Sequence, residues 1–375
     1  MDKIIDIWHY SGFANLCWCN FIMFFVAGVL IYLAITKKYE PLLLIPIGFG
    51  AILANLPMAA MGSHDIGLMQ VIYDAGIKTE LLPPLIFLGV GVLTDFRPLL
   101  SRPITFLLGA AAQLGIFIAA LGAFYLFGFT PQEAASIGII GGADGPTSIF
   151  LASQLAPHLL GPIAVAAYSY MSLVPIIQPP IIRLMTTKKE RSIDMPQAKP
   201  VSKTAVVLFP IITGTIASLA IPSAAPLLGM LMFGNLIRES GVTDRLKKTA
   251  GGAMVDIVTI FLGLVVGATM VGDQFLTWQT MGILVLGAVA FTFSTFGGLL
   301  FAKLLNIILP KEKKINPCIG AAGVSAVPMA ARVVQKFVSE ETNGEVNPIM
   351  PAMGPNVAGV IGSAVAAGIF LTLLR

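Results

Sequence analysis

The chain has 375 residues, 56% hydrophobic and 11% charged, with a mean hydropathy of +0.88 and a formal net charge of +4. Soluble domains carry about 25% charged residues, so 23 basic and 19 acidic side chains cannot cover a soluble globule of this size. An ordinary cytosolic enzyme, a nucleic-acid binder and a disordered chain are therefore excluded, and a polytopic helical membrane protein remains.

A transmembrane barrel is disfavoured, because the apolar stretches are continuous rather than alternating segments of about ten residues. The opening MDKIIDIWHY carries acidic and basic residues and no small-residue cleavage site, which argues against a cleaved signal peptide. Cys17, Cys19 and Cys318 make neither a disulfide framework nor a metal-ligand set, and His9, His64 and His158 are scattered. The Cys17/Cys19 pair reads as filler in an apolar helix.

In chain order the charge-poor runs are Ile7–Thr36, Pro41–His64, Leu81–Leu93, Pro103–Gln132, Gly145–Ile182, Thr204–Ile237, Ile257–Gly272, Gln274–Ala302, Ile315–Ala331 and Val346–Leu374. A span needs about 20 apolar residues, so the longest runs hold two elements or a broken helix, and the length rule gives roughly 9 to 11 elements crossing or entering the membrane. The basic connections are Lys37–Glu40, Thr186–Lys203, Arg238–Lys248 and Lys311–Lys314, which the positive-inside rule puts on the cytoplasmic side.

The halves resemble each other. Phe49-Gly50 recurs as Phe233-Gly234, Ile86–Gly89 as Ile260–Gly263, Leu108–Ala110 as Leu286–Ala288, and Gly141–Pro146 aligns with Gly323–Pro328. Loops that are basic in one half have uncharged or nearly uncharged counterparts in the other, as two repeats of opposite membrane orientation require. The division is a helix and basic loop over residues 1–40, a first inverted repeat over 41–185, a basic linker over 186–203 and a second repeat over 204–375. The fold class is all-α, polytopic, with two inverted-topology repeats, discontinuous helices near the midplane and one extra N-terminal helix.

Between Arg102 and Arg183 lie 80 residues with two formal charges, Glu133 and Asp144. Glu133 follows the loop signal Thr130-Pro131. Asp144 stands among Gly141, Gly142, Gly145 and Pro146, where an undisturbed helix cannot persist. A helix broken at membrane depth is tolerated only against protein or a cavity, and it frees backbone carbonyls. An acid beside such carbonyls suits a small hard cation; the other reading is a capping Asp near the interface.

The matching segment, Asn316 to Pro328, is also rich in Gly and Pro, includes Gly320, and offers Asn316 and Ser325 as neutral oxygen ligands. Arg332 follows, either near the site or snorkelling to the interface. The last run holds Gly354-Pro355, expected to break it, and Asn356, whose side-chain carbonyl is a candidate ligand. Its counterpart holds Tyr168, Tyr170 and Ser172. Asp95 and Asp256 read as loop or cap residues, and Asn235 as a group facing the core. No Walker loop, nucleophile elbow or dinucleotide fingerprint is present.

Gly141-Gly142-Ala143-Asp144-Gly145-Pro146-Thr147, with Pro41–Pro57, Gly89–Phe96, Met232–Val242, Asn316–Arg332 and Gly354–Gly359, resembles the beta subunit of the sodium-pumping, biotin-dependent decarboxylases that serve oxaloacetate, methylmalonyl-CoA, glutaconyl-CoA and malonate. The resemblance covers nearly the whole chain. It implies a membrane subunit that decarboxylates carboxybiotin delivered by a biotin carrier protein, consumes a proton and exports Na⁺.

The same resemblance implies a bacterial inner-membrane location and, as partners, a carboxyltransferase alpha subunit, a small gamma- or delta-type membrane subunit and further copies of this chain. Biotin would reside on the partner and not on this chain. Asp144, Asn316, Ser325 and Asn356 would be Na⁺ ligands; Asp144, Tyr170, Ser325 and Arg332 would carry coupling or proton delivery, with Arg332 toward carboxybiotin. Gly142, Gly145, Gly320 and Gly354 would shape the backbone there. The alternative is a sodium-coupled secondary transporter of a small organic anion, which fold alone does not separate.

Overall fold

The computed structural model describes residues 9, 11–58, 67–196, 200–310 and 313–375. His64, the end of the Pro41–His64 run, Lys199 of the linker and Lys311 of the fourth basic loop lie outside them. The described residues are helical, with no strand among them. The principal helices are α1 (Trp18–Thr36), α2 (Pro41–Ala54), α3 (Leu82–Leu93), α4 (Thr105–Ala111), α5 (Leu114–Phe127), α6 (Pro131–Gly138), α7 (Gly145–Leu155), α8 (Leu160–Met185), α9 (Lys203–Ala220), α10 (Ala225–Glu239), α11 (Val255–Ala268), α12 (Trp278–Ile308), α13 (Met329–Glu341) and α14 (Ile349–Leu374).

Among the described residues seven stretches are fit by length and composition to cross a membrane: Trp18–Thr36, Thr105–Phe127, Pro157–Met185, Lys203–Ala220, Asp244–Ala268, Trp278–Ile308 and Ile349–Leu374. An eighth is added if Leu68–Lys78 and Leu82–Leu93, bent by 63°, are one span. This is a multi-pass membrane protein. The full-length spans are fewer than the crossing or entering elements counted on the sequence. That count included half-helices, and runs such as Pro41–His64 yield a helix of only 14 residues, α2.

The 38-residue run from Gly145 does split, at the Pro157–Leu159 turn, into α7 and α8. One expected break is absent. α14 continues through Gly354-Pro355 from Ile349 to Leu374. Proline deprives only the Pro351 carbonyl of its helical donor, and Gly354 packs its bare Cα on Thr105, where a Cβ would meet Thr105 Oγ1 at 2.5 Å. Neighbouring helices hold a proline-bearing membrane helix together in this way.

Among the helix pairs that join the halves of the chain, α2 packs on α11 and α3 on α10. Their closest approaches are glycine to carbonyl. A Cβ on Gly50 would lie 2.2 Å from Leu264 O, and one on Gly234 would lie 2.1 Å from Leu88 O. A Cβ on Gly267 would lie 2.0 Å from Ile47 O, and one on Gly91 would lie 2.0 Å from Leu231 O. Small residues let membrane helices approach at backbone distance. The asparagines do the same work at the helix ends: Asn55 Nδ2 donates to Met270 O at 2.7 Å, and Asn235 Nδ2 to Thr94 O at 3.0 Å.

The basic face is knotted by ion pairs. Arg97 bridges Asp95 and Glu239, and Arg238 bonds Glu239 and the carbonyls of Val92 and Leu93 that end α3. The buried Arg191 donates to Thr186 and the Arg183 carbonyl at the end of α8, and pairs with Glu341 at 2.7 Å. Asp95 thus has the loop role read from the sequence, and Asn235 faces the core at 0% exposure.

Candidate functional site

α6 ends at Gly138 and the backbone tightens into a 3₁₀ turn over Ile139–Gly142. Ala143 then takes a left-handed φ of 53°, and Asp144 begins α7. Asp144 Oδ1 accepts from Thr147 N at 3.1 Å, so it does cap a helix, as one reading of the sequence had it. It does so at 6% exposure, inside the bundle. Its other oxygen, Oδ2, accepts from Ser363 Oγ of α14 at 2.6 Å. None of the ion pairs among the described residues involves Asp144.

The second half meets this turn directly. A 3₁₀ stretch over Pro317–Gly323 gives way to extended backbone, and Ser325 N donates to Gly142 O at 2.8 Å. Ser325 Oγ in turn donates to Ser363 Oγ at 3.1 Å, which completes a chain from Ser325 through Ser363 to Asp144. Asn356, one and a half to two turns before Ser363 on α14, donates its amide to Ala322 O at 2.9 Å and Val324 O at 2.7 Å. Its side-chain carbonyl Oδ1 is buried and accepts nothing.

Gln113, at the interruption between α4 and α5, is a further participant. Its amide donates to Gly109 O at 2.9 Å, while Oε1 is buried with no donor. A Cβ on Gly142 would sit 3.5 Å from that oxygen and 3.1 Å from Ser363 Cβ. A Cβ on Gly145 would meet the Tyr168 ring at 2.1 Å, so the turn accepts no side chain at that position. The Tyr168 hydroxyl and Thr147 Oγ1 are also buried without partners. Gathered around one carboxylate are therefore several buried oxygens with no hydrogen-bond partner among the described residues, a donor set suited to a hard monovalent cation.

The other sequence-selected residues lie elsewhere. Tyr170 donates its hydroxyl to the Leu284 carbonyl of α12 and lays its ring on Gly287. Asn316 caps the 3₁₀ stretch: Oδ1 accepts from Cys318 N at 3.0 Å, and Nδ2 donates to Arg191 O at 2.9 Å and Ile193 O at 3.1 Å. Gly320 interlocks with Gly298 of α12, each blocking a Cβ on the other. Arg332 is exposed on α13 and enters no ion pair with the described residues. Asp144, Ser325 and Asn356 thus share one neighbourhood with Gly142 and Gly145; Tyr170, Asn316, Gly320 and Arg332 do not join its hydrogen-bond network.

Ser363 and Gln113 were not singled out on the sequence. Each is a lone uncharged polar residue in an apolar run, and polar residues in such runs are few enough to examine one by one.

A family model described as the Na⁺-transporting oxaloacetate decarboxylase beta subunit matches residues 19–374. The chain belongs to that family. It is 56% identical to methylmalonyl-CoA decarboxylase subunit beta of Veillonella parvula, over 97% of this chain and 95% of the relative. Glutaconyl-CoA decarboxylase subunit beta of Acidaminococcus fermentans is also 56% identical, over 97% and 96%. Oxaloacetate decarboxylase beta chain 2 of Salmonella typhi is 51% identical over 99% of both chains. The family is that of a membrane subunit in multi-subunit decarboxylase sodium pumps, and a free-standing secondary transporter is not favoured.

Proposed function

We propose that this subunit releases CO₂ from carboxybiotin presented by a biotin carrier protein and couples that release to Na⁺ export through Asp144. In the decarboxylation the carbamate N–C bond breaks, CO₂ leaves, and the ureido nitrogen takes a proton. A carboxyltransferase alpha subunit, a small gamma- or delta-type subunit and other copies of this chain complete the assembly in a bacterial inner membrane.

One observation carries the ion-site reading: Asp144 is buried and, among the described residues, has no cationic partner and lies beside acceptor oxygens that have no donor. A buried carboxylate is costly unless neutralised, and either Na⁺ or H⁺ neutralises it. Exchange of the two at one carboxylate links proton uptake to sodium release. Ser363 and Ser325 orient the carboxylate, and Asn356 Oδ1 and Gln113 Oε1 complete the oxygen shell. Tyr170, Asn316 and Arg332 act from outside that shell, in coupling or toward the carrier.

We also propose that residues 41–185 and 204–375 are inverted repeats, preceded by residues 1–40 and joined by 186–203. The reciprocal glycine contacts support this: the offset is 184 residues for 50/234 and 47/231, and 176 for 88/264 and 91/267. This register sits two residues from the offset of the Ile86–Gly89 and Ile260–Gly263 match, so that string is displaced from the contacts.

The test is Asp144→Asn in proteoliposomes of the whole complex. Sodium uptake driven by decarboxylation should fall at least a hundredfold. Retained, sodium-coupled turnover would overturn the assignment of Asp144, and avidin should abolish uptake by the wild type.

A further inference from the structure

A cavity of about 500 Å³ opens on the basic face, well away from Asp144. Its walls come from the short helix Arg97–Ser101, from Arg102, from the linker at Met195–Pro196 and Pro200–Val201, and from Asn347 and the first residues of α14. This volume lies within the range of about 300–1,000 Å³ that takes small organic ligands.

Two arginines face the cavity and differ in one respect. Arg97 is neutralised by Asp95 and Glu239. Among the described residues Arg102 donates its guanidinium only to the Pro196 carbonyl, and no carboxylate pairs with it. The cavity therefore holds one uncompensated guanidinium against a wall that is otherwise largely apolar, with Pro98, Met195, Ile349 and Met350. That combination fits a ligand with a carboxylate on a compact ring system that has a polar edge and an apolar flank, as the fused rings of biotin have, with Ser101 and Asn347 as the polar wall residues.

Resting on the decarboxylase reading above, we infer that this cavity binds the carboxylated ureido ring of carboxybiotin, with Arg102 holding its carboxylate. Guanidinium pairs bidentately with carboxylates, which a lysine does not reproduce. The geometry also connects the cavity to the ion site. α14 starts at the cavity wall, and at 1.5 Å per residue Asn356 and Ser363 lie about 10 Å and about 21 Å along it. The Arg102 carbonyl accepts from both N and Oγ1 of Thr105, whose side chain packs on Gly354. The arm carrying the ring thus stays on the basic face and has no need to reach the depth of Asp144.

The experiment uses the intact complex with free carboxybiotin as the probe, reading KM for its decarboxylation, and ²²Na⁺ binding without turnover. Arg102→Gln should raise KM about tenfold to a hundredfold, the scale of a lost hydrogen bond to a charged group. Sodium binding should be unchanged, and Arg102→Lys should recover part of the loss. Met350→Trp, which fills the cavity from the opposite wall, should raise KM too, and carries the test if Arg102→Gln fails to assemble. An unchanged KM in both Arg102→Gln and Met350→Trp overturns this site while leaving the decarboxylase reading intact. A rise in KM accompanied by equal loss of sodium binding also overturns it. Failure of the wild-type complex to decarboxylate carboxybiotin would instead overturn the underlying reading.

Discussion

Asp144 stands out because a carboxylate in a helix that glycines and a proline interrupt has few structural uses. Its second oxygen shows what the turn serves: Ser363 donates to it from a helix more than two hundred residues away. Ser363→Ala preserves volume and removes the donor, so apparent Na⁺ affinity should weaken about tenfold, the scale of one hydrogen bond to a charged group. Equilibrium ²²Na⁺ binding to the purified complex checks this; unchanged affinity would place Ser363 outside the shell.

Gln113 makes a sharper case. Gln113→Leu relieves a buried, undonated carbonyl but loses the bond to Gly109, so stability should change little while sodium binding falls. A purely structural amide would do the reverse. Asp144, Ser325 and Asn356 were legible as polar groups at breaks or in apolar runs. Asn316 was legible only as polar. Its Oδ1 caps the 3₁₀ stretch locally, but its amide is held by the carbonyls of Arg191 and Ile193, more than a hundred residues earlier in the chain, which no local pattern announces.

At the scale of helices, glycine spacing records which backbones touch. α2 and α10 each bring a glycine, Gly50 and Gly234, against a carbonyl of α11 and α3. Adding a methyl at either forces the helices apart, and overpacking of this kind costs about 1–3 kcal/mol or more. Gly50→Ala and Gly234→Ala should therefore lower thermal stability by similar amounts, measured by unfolding of the detergent-solubilised complex. A large loss at one and none at the other would contradict equivalent positions.

The Phe-Gly string at these sites was readable in the sequence as a repeat, and the contacts use it. The expected break at Gly354-Pro355 was wrong for a related reason. Glycine beside proline reads as a breaker in isolation, but here the glycine exists for the approach to Thr105, and the packed bundle holds α14 straight through. Interruption at Ala143 differs because the left-handed backbone there is fixed by the Ser325 bond to Gly142 from the other half.

Over the whole molecule, the charges that mark the ends of spans also fasten the halves together. Arg183 and Arg191 close α8 and its following loop, and both reach Glu341 at the end of α13, with Phe337 beneath both guanidinium groups at 5.5 Å. Arg191 also supports Asn316 through its carbonyl, so one buried arginine links the linker, the end of the first half and the second half's 3₁₀ stretch. Arg191→Ala leaves Thr186 and the Arg183 carbonyl without their donor and Glu341 with Arg183 as its one remaining arginine. Loss of these charge-assisted bonds costs about 1.5–3 kcal/mol, which should appear as a lower unfolding temperature.

The pH dependence has a definite sign. The bond from Arg183, then that from Arg191, holds the Glu341 carboxyl below the ordinary glutamate value, although partial burial opposes this. The stability it contributes is fully present above the ordinary value and is lost as pH falls through the lowered one. Unfolding temperature should therefore drop as pH is taken from neutral through the acidic carboxylate range. Glu341→Gln should already be less stable at neutral pH and should show a shallower acid loss. Its melting curve would converge on the wild type at the acid end, because a protonated glutamic acid and glutamine offer the two arginines the same neutral acceptor. A constant separation between the two curves at every pH would show that the charge of Glu341 contributes nothing to joining the halves.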